Sequence, residues 1–120
     1  MYSKILIGTD GSDTATKAVR IGADLAAALG ATPLLLYVGD AQKGEEVLAR
    51  TASELGIQGE RKIVQGDPDD KIIELAESEG VDLIVVGNKG MTGARRFLLG
   101  SVPNQVSHNA PCDLFIAKTT

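Results

Sequence analysis

The sequence predicts an α/β fold: one doubly wound, Rossmann-like domain with a five-stranded parallel sheet and helices on both faces. Three observations carry this. Short apolar runs alternate with longer stretches whose apolar residues recur at helical spacing, the β–α–β order that builds a parallel sheet through right-handed crossovers. Several of the short runs show no polar alternation, as expected of strands covered on both faces. The helical stretches end at glycines, Gly30, Gly56 and Gly80. The 120 residues, read as one domain spanning 1–120, are enough for an ordinary core without staples.

Lys4 to Asp10 is the first strand. Gly11-Ser12 turns the chain, and Ser12 or Asp13 can cap the helix that follows. In that helix Ala15, Ala18, Val19, Gly22, Ala26 and Leu29 form one stripe. Pro33 to Val38 is the second strand, with Leu34-Leu35-Leu36 apolar on both faces. Glu45 to Leu55 is a helix carrying Val47, Leu48, Thr51, Ala52 and Leu55 inward. Arg61 to Gln65 is a third strand with polar flanks. Asp67 caps a helix that Pro68 opens, with Ile72, Leu75 and Ala76 inward. Asp82 to Gly87 is the fourth strand. Val102, Val106 and Ala110 recur every fourth residue as one helical stripe, with Pro103 near its first turn and Pro111 at its stop. Asp113 to Lys118 is the fifth strand. Strands 1, 2 and 4 are the most uniformly apolar and belong in the centre. Strand 3 is the most polar and belongs at an edge. The order 3-2-1-4-5 satisfies both, and it puts a topological switch point between strands 1 and 4, where ligands of such sheets bind.

A glycine-rich stretch leaves the end of strand 4 and enters the last helix at Gly100-Ser101. Glycine admits positive φ and lets a ligand approach the backbone. A helix N-terminus adds unpaired N–H groups and partial positive charge. Together they make an anion site, and a nucleotide phosphate is the fitting large anion. Gly87, Gly90 and Gly100-Ser101 fall at the spacing G-x2-G-x9-G-(S/T). It is neither a Walker loop, which needs Gly-Lys-Ser/Thr at the helix start, nor the dinucleotide fingerprint, which would follow strand 1.

That spacing resembles the nucleotide-binding motif of the universal stress protein family, in its ATP-binding branch. Lys4-Ile-Leu-Ile-Gly-Thr-Asp-Gly-Ser, Val85-Val-Gly-Asn-Lys-Gly, Gly100-Ser-Val and Asn109-Ala-Pro-Cys-Asp-Leu-Phe-Ile-Ala extend the resemblance over essentially the whole chain. It implies the same strand order. It assigns Gly87, Gly90, Gly100 and Ser101 to the phosphates and ribose, Asp10 to the nucleoside and Val38 to the adenine; Thr9 and Val102 are further candidate nucleotide-binding residues. The ligand implied is ATP, or AMP or ADP, with Mg²⁺ on the phosphates. A carboxylate repels bare phosphate, so Asp10 suits ribose, adenine or a Mg²⁺-mediated contact. The resemblance further implies a homodimer paired through the last strand, whose Leu114-Phe-Ile-Ala is guarded only by Asp113 and Lys118. One departure stands out: Gly39 to Gly44, between strand 2 and the second helix, is shorter than in most relatives and lacks their proline-bearing turn.

The remaining features narrow the class. A net charge of −4 argues against nucleic acid as a partner. The single cysteine, Cys112, excludes an internal disulfide and suits the cytoplasm. No apolar run has membrane length, and no signal peptide is evident. His108 reads as a surface residue, Cys112 as a small core thiol, and Lys89, Arg95 and Arg96 as loop cations. No residue stands out as a base for an attacking water, so no catalytic residue is assigned and any ATP hydrolysis should be slow. A phospho-receiver reading fails because Gly11, not a second acid, follows Asp10. The sequence therefore favours an adenine-nucleotide-binding regulatory module of the stress response. A slow ATPase or a ligand-free dimeric interaction protein of the same fold are the alternatives.

Overall fold

The structure, a computed structural model, describes residues 2–88 and 109–119. Its elements run β1 (Lys4–Gly8), α1 (Asp13–Leu29), β2 (Thr32–Val38), α2 (Ala41–Leu55), β3 (Glu60–Val64), α3 (Pro68–Ser78), β4 (Leu83–Gly87) and β5 (Asp113–Ala117). The strands form one parallel sheet in the order β3-β2-β1-β4-β5, as the sequence predicts. Ala110 packs against the core; the rest of the stripe expected before β5, with Val102 and Val106, lies outside the described residues.

Strand alternation divides the core into two layers. Ile5, Ile7, Leu35, Tyr37, Leu83 and Val85 meet Val19 and Ala26 of α1 and Val47, Leu48 and Ala52 of α2. Leu6, Leu34, Leu36, Val38, Ile84 and Val86 meet Ile72 and Ala76 of α3 on the opposite face. Almost all of these side chains are aliphatic, so the layers pack by branched interdigitation rather than ring stacking.

The local rules act where expected, with three exceptions. Ser12 caps α1, its Oγ accepting from the Ala15 N–H at 3.2 Å. Helix α2 starts at Ala41, one turn before the expected Glu45. Asp40 accepts from the Lys43 N–H at 2.9 Å, and Gly44 is buried so tightly that a Cβ there would lie 2.7 Å from the Tyr37 ring. That first turn is fixed by a cap and a close approach, neither of which leaves an apolar stripe. Leu29, expected on the inward stripe of α1, is 43% exposed; it is the last helical residue before the left-handed Gly30 cap, and half-buried Leu25 packs in its place. Asp67 holds the N-cap position of α3 with extended backbone but makes no side-chain cap hydrogen bond. Asp69 and Asp70 in the first turn answer the positive end of that helix instead.

Candidate functional site

The switch point lies where β1 and β4 stand side by side, paired through Ile5↔Leu83 to Ile7↔Val85. At the carboxyl ends of these strands the chain leaves β1 for α1 on one face and leaves β4 into residues outside the described set. Ligands of such sheets bind in the crevice at this switch point. Its rim holds Thr9 to Ser12 after β1, Val38 to Asp40 at the end of β2, and Gly87-Asn88 at the end of β4.

The β1 side is a rigid turn. The Thr9 N–H donates to the Leu36 carbonyl at 2.9 Å, and buried Thr9 Oγ1 accepts from the Gly11 N–H at 3.0 Å. Asp10 Oδ1 accepts from the Ser12 N–H at 2.9 Å. Among the described residues Oδ2 takes no hydrogen bond, and Asp10 remains half-exposed. Gly11 has φ 86°, and a Cβ on it would sit 2.9 Å from Val47. Glycine is needed here both for the left-handed backbone and for the approach of α2. The Arg50 guanidinium of α2 donates to the Gly11 carbonyl at 3.4 Å, placing one cation on the outer flank of this turn.

Val38 brings backbone rather than side chain. Leu36 turns its carbonyl toward β1, and Val38, two residues on, turns the same way. The last β1–β2 pair is Gly8↔Leu36, so the polar groups of Val38 lie past the end of β1 without a ladder partner there. Its side chain is buried beside Leu36 and Val86.

Gly87 is half-exposed and pairs with Ala117. Its φ lies outside the left-handed region. A Cβ there would meet Ala18 at 3.5 Å and Thr119 at 3.7 Å, ordinary contacts. Gly87 therefore makes no use of the positive φ that glycine admits, because it is still strand. Gly90, Gly100, Ser101 and Val102 lie outside the described residues, as do Lys89, Arg95, Arg96 and His108.

Two residues on this rim escaped the sequence reading. Asn88 donates its N–H to the Ala117 carbonyl at 2.9 Å. Its Oδ1 accepts both the N–H and the hydroxyl of Thr119 at 2.9 Å. The partner lies 31 residues away, and no spacing rule marks such a pair.

The shifted titrations lie at the other end of the sheet. Burial raises the Asp82 carboxyl, but the N–H groups of Ser3 and Lys4 and the Ser3 hydroxyl outweigh it, and the net shift is downward. The Lys4 hydrogen bond, then Lys62, holds the Glu79 carboxyl below its usual range. Lys4 is raised in turn, first by Glu79. Burial, then Asp113, raises the Cys112 thiol, which disfavours the thiolate. These groups fasten the start of β1 to its neighbours. Among the described residues no three His, Cys, Asp or Glu side chains are grouped to hold a metal ion, and no helix is long and apolar enough to cross a membrane.

A parallel, doubly wound α/β domain with its switch point between β1 and β4 is the class that the fold defines. The universal stress protein family model matches residues 1–55 and 39–118, and the chain belongs to that family. It is 33% identical to universal stress protein MJ0531 of Methanocaldococcus jannaschii, over 98% of this chain and 83% of the relative. It is 32% identical to universal stress protein Rv1636 of Mycobacterium tuberculosis, over 99% and 98%. Among solved structures, a universal stress protein in complex with cAMP superposes with a TM-score of 0.85 at 33% identity, covering 99% of this chain and 98% of that one. The alignments with the two named relatives run over 141 and 149 positions, against 120 residues here, so those relatives carry residues this chain lacks. The two stretches matched by the family model overlap at 39–55, where β2 passes directly into α2.

Proposed function

We propose that this chain is an adenine-nucleotide-binding regulatory module of the stress response, a single domain spanning 1–120 that acts in the cytoplasm. The observation that carries the reading is the crevice rim. There the Asp10 carboxylate keeps one oxygen out of its own turn, at the strand ends where Val38 also leaves backbone polar groups unladdered. A carboxylate and a free backbone edge suit a nucleoside: one takes ribose hydroxyls or an exocyclic amine, the other reads the base edge. Thr9 contributes through its backbone, because its hydroxyl is spent in the turn. Gly87, Gly90, Gly100, Ser101 and Val102 take the phosphates, with ATP, ADP or AMP as ligand. Mg²⁺ enters on the phosphates, and Asp10 is a rim carboxylate that can approach it, Asp40 being engaged as the cap of α2. The 33% identical relative with cAMP bound supports an adenine nucleotide.

The same reading makes the protein a homodimer joined edge to edge through β5. Phe115 and Ile116 there are 39% and 41% exposed, on opposite faces of an outer strand.

Thermal melting with and without nucleotide tests the ligand. A ligand at about a hundred times its Kd adds ~2.7 kcal/mol, a rise on the order of ten degrees for a domain of this size. Millimolar Mg·ATP, AMP or cAMP should raise the melting temperature, and Gly100→Val should remove the rise. Indifference to all three leaves the ligand-free dimer as the function. Phosphate release over hours would make the protein a slow ATPase.

A further inference from the structure

We propose that Asn88 is a positioning residue for nucleotide binding: clasped to Thr119, it fixes the direction in which the chain leaves β4 for the glycine segment. This rests on the function proposed above and adds to it a residue that touches no ligand. The ladder between β4 and β5 reaches its last pair at Gly87↔Ala117. The next residue would ordinarily be free to swing. Among the described residues Asn88 is instead held by hydrogen bonds at 2.9 Å from its own N–H to Ala117 and from the Thr119 N–H and hydroxyl to its Oδ1. A backbone N–H can only donate, so the side-chain atom facing Thr119 is the carboxamide oxygen. Its two lone pairs suit two donors. The clasp is part-buried: Thr119 is 6% exposed and Asn88 half-buried. Beside it, Gly87 leaves room for a Cβ, which would meet Ala18 of α1 at 3.5 Å and the Thr119 methyl at 3.7 Å.

The consequence is entropic. Gly87 opens the phosphate-binding motif, and Asn88 is the step by which the chain enters it. A fixed departure vector lowers the ordering cost that binding otherwise carries. Ligand affinity should therefore depend on the Asn88 side chain and on Thr119, which is remote from the motif in sequence.

Calorimetric titration with Mg·ATP is the test, with the nucleotide-free melting temperature taken alongside. Asn88→Ala should weaken binding about tenfold, the scale of one net hydrogen bond. Thr119→Val should weaken it about threefold beside Asn88 and have no further effect beside Ala, the non-additivity of a coupled pair. Thr119→Ser keeps the hydroxyl and should keep wild-type affinity. Wild-type affinity in Asn88→Ala overturns the proposal, as does an equal loss from Thr119→Val in both backgrounds. If Asn88→Ala does not fold, the Thr119→Val and Thr119→Ser pair decides: equal affinities overturn the proposal. A wild-type protein that binds no nucleotide overturns this proposal together with the function it rests on, a result distinct from a binding wild type with an indifferent variant.

Discussion

The two edges of the sheet face the same difficulty and resolve it in opposite ways. Any outer strand presents unpaired N–H and C=O groups that invite another strand. At the β3 edge the answer is charge. Glu60 and Lys62 alternate with exposed Arg61, and the first two are drawn into an ion-pair chain, Glu60–Lys4–Glu79–Lys62, with distances of 3.0 to 3.3 Å. A second strand laid there would have to desolvate those groups. At the β5 edge Phe115 and Ile116 are exposed instead, and the flanking charges sit only at the strand ends. One edge is made soluble; the other is left to be covered. The difference favours β5 over β3 as the edge for the proposed dimer.

The contrast breaks most completely with Phe115→Pro. Ala117 turns its carbonyl inward to Asn88, so Phe115, two residues earlier, also turns its N–H toward β4. Proline there removes a donor from the β4–β5 ladder. We expect β5 to detach, the melting temperature to fall by many degrees and the dimer to vanish together, seen by circular dichroism and light scattering. Ile116→Pro should be more selective, because Ile116 points its N–H outward. Light scattering should give a monomer mass at micromolar concentration while the circular dichroism spectrum stays native. A wild-type monomer would refute the pairing outright. The converse change sharpens the contrast: Arg61→Val with Lys62→Val strips the guard from β3. The variant should associate beyond a dimer as concentration rises, and an unchanged mass would show that charge is not what protects this edge.

The smallest effect concerns the ion-pair chain itself. Lys4 and Lys62 hold the Glu79 carboxyl below its ordinary range. A lowered folded-state pKa gives stability that is present above the unfolded value, about 4.3, and is lost as pH falls through the folded one. Glu79→Gln should therefore melt slightly below wild type at neutral pH, and the two should converge in strong acid. A gap that persists in acid would assign the difference to packing instead.

What was readable in the sequence follows from where the information sits. Strand order was legible because burial on two faces forces an unbroken apolar run, as in Leu34-Leu35-Leu36, and an edge permits Glu60-Arg61-Lys62. Most helix interiors were legible through Ala18, Val19, Gly22 and Ala26 in α1 and Val47, Leu48, Thr51 and Ala52 in α2, all buried. The start of α2 was not, because a cap and a glycine-to-ring contact leave no period to detect. Leu29 misled because hydrophobicity says nothing about where a helix overruns the sheet. Asp67 had the right residue type for a cap without making the bond. On the crevice rim Asp10 and Val38 fall where the sequence placed them, at the ends of neighbouring strands. The Asn88–Thr119 clasp was invisible, since only the β4–β5 register brings the two together.

That same topology sets the order in which the molecule can be completed. β1 leaves the ribosome before either of its neighbours, yet it is hydrogen-bonded on both sides. β2 can join it after one helix, with Ile5 opposite Pro33. Its other neighbour begins at Leu83, so Ile5, Leu6 and Ile7 wait through three helices and two strands for their second partner. Until then β1 is an open apolar edge, the kind of surface on which nascent chains aggregate or recruit chaperones. Closure of this seam also brings Asp10 beside Gly87. The candidate site is therefore among the last features to form, and a ligand held there acts as a seal on the finished fold, rewarding only chains that have closed the seam.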